Sequence, residues 1–273
     1  MDCKMTGKKA KKADEKKVEA NGKSPAASKD TKEVTAPAAN FPMFYESVVP
    51  LNKGSHSELK IAQMKDYSFA KSANSIILAA TEFAQAAVHY PVVFSKIGEN
   101  LQAFAVTGHT AGENLFIGED KKWRADTYIP AYVRRYPFLL VQSDDKNLSL
   151  GVDEKSSLFG KSSGEALYEK GEASNVAKHA LAFCYNYRQE LEGTAKLLKQ
   201  IDDADILIDR SADVSMDGGK KKAKITGFSI VDEKKLSELS DDKFLELRKS
   251  GALNLIYSHL WSMRSWNNLL EDK

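Results

Sequence analysis

The densest group of side chains able to do chemistry is the run Tyr128-Ile129-Pro130-Ala131-Tyr132-Val133-Arg134-Arg135-Tyr136, followed by Pro137 and Phe138. Arginine carries a rigid fork that grips a carboxylate or phosphate through two parallel bonds. Tyrosines beside it supply flat walls with hydroxyl tips. Tyr128, Tyr132, Arg134, Arg135 and Tyr136 are therefore the candidate ligand-binding residues, suited to a carboxylated or phosphorylated small molecule or peptide. Adjacent arginines cannot both face one side of a helical turn, so one is expected to bind and the other to meet solvent. The competing reading is architectural: one arginine bridges the edge of the core and the tyrosines pack.

Paired acids come next. Gly151-Val152-Asp153-Glu154 and Ile230-Val231-Asp232-Glu233 each end an apolar stretch with two carboxylates. Such pairs serve general acid–base or metal chemistry, and an enzyme built on them would need the four acids to converge. More often an Asp at a strand end opens a turn or caps the following helix, and Asp232 before Lys-Lys-Leu-Ser-Glu-Leu fits a cap. The usual catalytic and nucleotide signatures are missing. There is no phosphate loop, no GxGxxG and no GxSxG elbow. The histidines, His56, His89, His109, His179 and His259, include no pair at zinc-motif spacing. The two cysteines, Cys3 and Cys184, make neither a disulfide framework nor a zinc site. No catalytic residue, metal or cofactor is assigned, and the chain is not expected to be an enzyme.

These side chains need a scaffold. The chain has 273 residues, with 40 Lys plus Arg against 38 Asp plus Glu, a net charge of +2. That balance argues against a nucleic-acid binder. The longest apolar run, Ala180–Tyr185, falls far short of the roughly 20 residues of a membrane span. The basic start has no apolar stretch behind it, unlike a secretory leader. A cytoplasmic protein is the expectation. Residues 1–40 hold ten Lys and six acids with few large apolar side chains, and read as a disordered arm that cannot offset its chain entropy. It serves either as a solubilising tail or as an electrostatic tether.

Residues 41–273 read as one domain. Met43–Pro50 predicts a strand. Apolar spacing over Ser72–Tyr90 predicts a helix stopped by Pro91. Val92–Phe94, Leu101–Thr107, Asn114–Ile117, Phe138–Gln142 and Leu148–Asp153 predict a meander of strands, with a helical turn or two at Ile129–Tyr136. Ser156–Ser163 reads as an exposed loop. Ser174 caps a long helix to Gln200, with a weak turn at Gly193–Thr194. Asp205–Met216 and Lys222–Asp232 form a hairpin around Asp217-Gly218-Gly219. Ser240 caps a helix broken by Gly251, and Ala252–Leu270 forms the last helix, with Leu253, Ile256, Leu260, Met263 and Leu270 on one face and Trp261 off it. Without regular βα alternation this is an α+β fold, a mostly antiparallel sheet packed with helices and ending in a helical C-terminus.

The same pieces resemble the SapC family of bacterial proteins. The resemblance rests on Glu82-Phe83-Ala84, on HYPVVF at 89–94, on YIPAYVRRYPF at 128–138, on VDEKS at 152–156, on GFSIVDEKKL at 227–236 and on GALNLIYSHLWSM at 251–263. It runs in order over about 45–270. It implies an association with surface-layer proteins of Gram-negative bacteria and their export; together with the missing catalytic motifs and the missing signal peptide, the expectation is a non-enzymatic accessory protein of surface-layer biogenesis or export, acting by protein binding. Its expected partner is a surface-layer protein or its exporter. It implies no catalytic residues. A membrane permease that shares the name is a different protein, since this chain has no spanning segment.

Overall fold

The structure is a computed structural model and describes residues 41–143, 147–216 and 221–269. The expected arm at 1–40 and the hairpin tip Asp217–Gly219 lie outside the described residues. So does the centre of the polar turn at 143–147.

From the N-terminal side come β1 (Val48–Pro50), a helical turn α1 (Lys53–His56), β2 (Lys60–Ile61) and β3 (Ser75–Ile77). Then follow α2 (Phe83–His89), β4 (Val92–Ile97), β5 (Asn100–Val106), α3 (Ala131–Arg134), β6 (Phe138–Gln142) and β7 (Leu148–Asp153). Four two-residue strands come next: β8 (Phe159–Gly160), β9 (Glu165–Ala166), β10 (Tyr168–Glu169) and β11 (Glu172–Ala173). The chain then runs through α4 (Asn175–Asp203), β12 (Leu207–Met216), β13 (Lys221–Val231), α5 (Glu233–Ser237), α6 (Asp241–Ser250) and α7 (Ala252–Ser262). A 3-10 segment over Met263–Leu269 completes it.

The largest sheet has the order β12-β13-β4-β5-β3, with every pair antiparallel. A second sheet, β1-β7-β6, and a small one, β8-β2-β9, are antiparallel too. The α+β architecture with a helical end is therefore as the sequence predicts. The first sheet carries the main core. Ile76, Phe94, Leu198, Ile201 and Ile256 are among its fully buried side chains, each worth about 1.5–3 kcal/mol relative to exposure.

The spine is α4. Ser174 caps it, accepting from the Ala177 amide. Its 29 residues extend about 44 Å at 1.5 Å per residue. Ala177 and Cys184 pack on the second sheet, Tyr187 in a separate small cluster, and Leu198 and Ile201 in the main core. The weak turn at Gly193–Thr194 is a docking point: the Thr194 hydroxyl accepts from the Ala80 amide and donates to Glu190 O.

Five expectations need correction. The strand predicted over Met43–Pro50 is confined to Val48–Pro50, because Met43 and Phe44 form a turn with Phe44 at φ 82°. The helix predicted over Ser72–Tyr90 begins only at Phe83, because Ser75–Ile77 is the edge strand beside β5. Two β-branched isoleucines fill that edge, and side chains that pack on a pleated surface override helical spacing. Asn114–Ile117 is not a strand; only Ile117 meets Trp123 through a single bridge. The Asn114 side chain donates to Ala70 O and accepts from the Phe116 amide, holding a turn instead. Ser156–Ser163 is not wholly exposed, since Ser156 and Leu158 are buried and Phe159–Gly160 pairs with β2. The last helix tightens after Ser262, and its buried face adds His259 and Ser262 to the expected stripe, on which Leu260 and Met263 are half-buried against the core and Leu270 lies outside the described residues. Both polar side chains are drawn to backbone groups of β4.

The caps behave as expected. Asp232 accepts from the Lys234 and Lys235 amides, and Ser240 from Lys243. Gly251 closes α6 at φ 91°, a left-handed conformation that an L side chain resists. Gly251→Ala is expected to lower unfolding free energy by about 1–2 kcal/mol, measured by urea denaturation.

Candidate functional site

Pro130 opens α3 with a preset φ and Pro137 closes it. Within so short a turn the two arginines diverge. Arg134 is exposed and internally engaged. Its Nε donates to Ile129 O at 2.9 Å and its Nη2 to the Tyr128 hydroxyl at 3.1 Å, with the guanidinium over the Tyr128 and Phe183 rings. Tyr128 in turn donates to Glu82 Oε1 at 3.0 Å. Burial, then the Glu82 charge, pushes the Tyr128 phenol up to about 12.

Arg135 points elsewhere. Its guanidinium lies 4.2 Å from the centre of the Tyr132 ring and 5.4 Å from those of Tyr45 and Tyr187. The Tyr132 hydroxyl donates to Met43 O and the Tyr45 hydroxyl to Phe138 O. Burial raises the Tyr45 and Tyr187 phenols above the ordinary range, against the opposing pull of Arg135. Burial likewise raises Cys184 to about 11, so it is a thiol and no nucleophile.

Tyr136 meets the second group at Tyr45, edge-on at 5.4 Å, but its main partners lie elsewhere. It stacks on Phe69 at 4.1 Å, and its hydroxyl donates to Asp153 Oδ2 at 3.4 Å. The five sequence candidates thus divide three ways: Tyr128 with Arg134, Tyr132 with Arg135, and Tyr136 apart. Four contributors lay outside the motif. Glu82, Tyr45, Phe183 and Tyr187 come from distant segments, and only Phe183 and Tyr187, which share the helical repeat of α4 with Val176 and Ala180, left a periodic signal.

Three of the four acids are engaged in the scaffold. Asp153 is wholly buried and accepts from the Glu46, Ser47 and Lys155 amides, pinning the entry of β1 to the end of β7. Glu154 meets His56 at 3.2 Å, and Asp232 caps α5. Among the described residues no group of three or more His, Cys, Asp or Glu side chains is placed to hold a metal. No described helix is long and apolar enough to cross a membrane.

A second feature is a groove of about 690 Å³ between α2 and α7 with its 3-10 extension. Val88, Tyr257 and Trp261 stand along it, and the first and last are 67% and 68% exposed. Its walls are tied together beneath. The Ser265 hydroxyl donates to Ala87 O and the Asn268 amide to His89 O, satisfying carbonyls that the end of α2 leaves free. The groove thus mixes apolar side chains with polar ones, and hydrogen bonds fasten its two walls to each other. Arg264 and Asn268 supply its polar rim.

Compared with known proteins, the chain matches the family model described as SapC over residues 51–269. No curated protein and no solved structure matches it. The matched span takes in the arginine turn, the whole of α4, the sheet and the grooved C-terminal helices, which is most of the chain, and on that match this protein belongs to the SapC family.

Proposed function

We propose that this protein is a non-enzymatic accessory protein that binds another polypeptide along the α2–α7 groove. In its host the partner is a surface-layer protein or a component of its exporter, met in the cytoplasm. The observation that supports binding is the exposure of Trp261 beside Val88 and Tyr257 along the groove between α2 and α7. Buried tryptophans anchor protein interfaces, and large apolar side chains grouped at a surface mark contact sites. The choice of partner follows from the family resemblance.

Trp261→Ser tests this reading. The residue lies off the core stripe, so stability should change by no more than about 0.5 kcal/mol. The tagged wild-type protein, at native expression in its host, should recover a surface-layer subunit or exporter component. The variant should lose it. Recovery of neither class by the wild type, or equal recovery by both proteins, would overturn the reading.

A further inference from the structure

Arg135 is a charged group whose surroundings answer it only in part. Tyr45, Tyr132, Tyr187 and Cys184 are the groups that most support its charge, and among the described residues no carboxylate forms an ion pair with it. The aromatic rings attract the face of the guanidinium. Its N–H bonds lie in the plane, where a ring offers no lone pair. The Nε is buried and meets no acceptor among the described residues. The adjoining Tyr187 is 3% exposed, and its hydroxyl is likewise buried without a partner. A fork donor and a phenol donor, both unanswered and both beside one cation, describe the recognition half of an oxyanion site.

We propose that Arg135 and Tyr187 bind a monocarboxylate, with Arg135 Nε–H and the Tyr187 hydroxyl donating to its oxygens. The charge count selects the ligand. Arg134 is held by Ile129 and Tyr128, so one guanidinium is available. The Glu82 carboxylate is near enough to act on Tyr187, and a dianion such as phosphate would meet its repulsion. Tyr132, only half-buried on Arg135, links the cluster to the surface, since its hydroxyl donates to Met43 O and Met43 is 45% exposed. The site is separate from the Trp261 groove, and loss of a protein partner there leaves it standing.

The test uses the full chain in a carboxylate-free buffer. Sodium acetate is titrated against sodium chloride at matched ionic strength, with inorganic phosphate as a third arm. The readouts are the Arg135 Nε–Hε NMR signal and the melting temperature. Acetate should give a saturable shift that chloride does not, and phosphate should bind more weakly. Tyr187→Phe removes only the unpartnered hydroxyl, so it should fold as the wild type does and weaken acetate about tenfold. Arg135→Lys, read by melting temperature, should abolish the acetate effect. A tri-alanine peptide with a free C-terminal carboxylate, compared with its amide, separates the two sources. Tighter binding than acetate assigns the site to a polypeptide end, and equal or weaker binding to a free small acid. An acetate response no greater than chloride's, or Tyr187→Phe binding acetate like the wild type, would overturn the proposal.

Discussion

His259→Ala is expected to destabilise the protein by about 3–5 kcal/mol, the cost of two lost buried hydrogen bonds plus a cavity. The pairing Ser229 with Phe94 sets the register between β13 and β4, and in that register Val231 lies opposite Val92. The imidazole joins these two strands. Its Nε2 accepts from the Val231 amide at 3.0 Å and its Nδ1–H donates to Val92 O at 2.6 Å. The ring is fully buried against Phe94. A proton on Nε2 would face the Val231 N–H, so the charged form has no place. Burial lowers its pKa to about 4, opposed in part by the Val92 bond. The unfolded chain, titrating near 6.5, takes up the proton first. Stability from this group is complete above about pH 6.5 and is lost as pH falls towards 4, in total about 3 kcal/mol. Denaturant unfolding at pH 7.5, 6 and 4.5, for the wild type and His259→Gln, checks both points. The variant should be weaker at pH 7.5 and should have lost the histidine part of the acid slope. Parallel slopes in the two proteins would refute the account.

The second large effect is expected at Glu82. This carboxylate is 3% exposed and gathers three donors: the Ala79 amide at 2.8 Å, the Ala131 amide at 2.6 Å and the Tyr128 hydroxyl at 3.0 Å. It thereby joins the start of α2 to the turn that carries both arginines. Glu82→Gln keeps the shape but sets an NH2 group against a backbone N–H. A cost of about 2–4 kcal/mol is expected, with Glu82→Ala costing more because all three donors are stranded. Tyr128→Phe, which removes one donor, should cost about 1 kcal/mol. Burial raises the Glu82 carboxyl above its usual range, with the three donors and Arg134 pulling the other way. The folded protein therefore holds this proton longer than the unfolded chain does. Its contribution is fully present below the unfolded value and falls as pH rises through the folded one, opposite in sign to that of His259. Urea midpoints for the three variants rank the effects. If Glu82→Gln proves as stable as the wild type, the three bonds do not make up the anchor described.

Local signals carried much of the fold. Ser174, Asp232 and Ser240 sit before apolar repeats and cap the helices that follow, because a cap is a contact between a residue and its own next turn. The β12–β13 hairpin and the α3 turn between two prolines are equally local. The helix expected at Ser72–Tyr90 failed over its first half because Ile76 and Ile77 find their partners on β5, some thirty residues ahead. The candidate site divides along the same line. YIPAYVRRY announced an arginine–tyrosine cluster and the divergence of neighbouring arginines. Which arginine is tied down depends on Glu82, and which keeps an open donor depends on Tyr45 and Tyr187.

Residue order alone was enough to locate the caps, the long helix and the off-stripe position of Trp261, since each follows from interactions within a few positions along the chain. It left undecided that Asp153 is a buried latch, that His259 bridges two strands and that Arg135 lies among aromatic rings with no carboxylate paired to it among the described residues. Those outcomes belong to folding, which removes water from groups far apart in the chain and leaves each polar atom only the partners that packing has brought beside it.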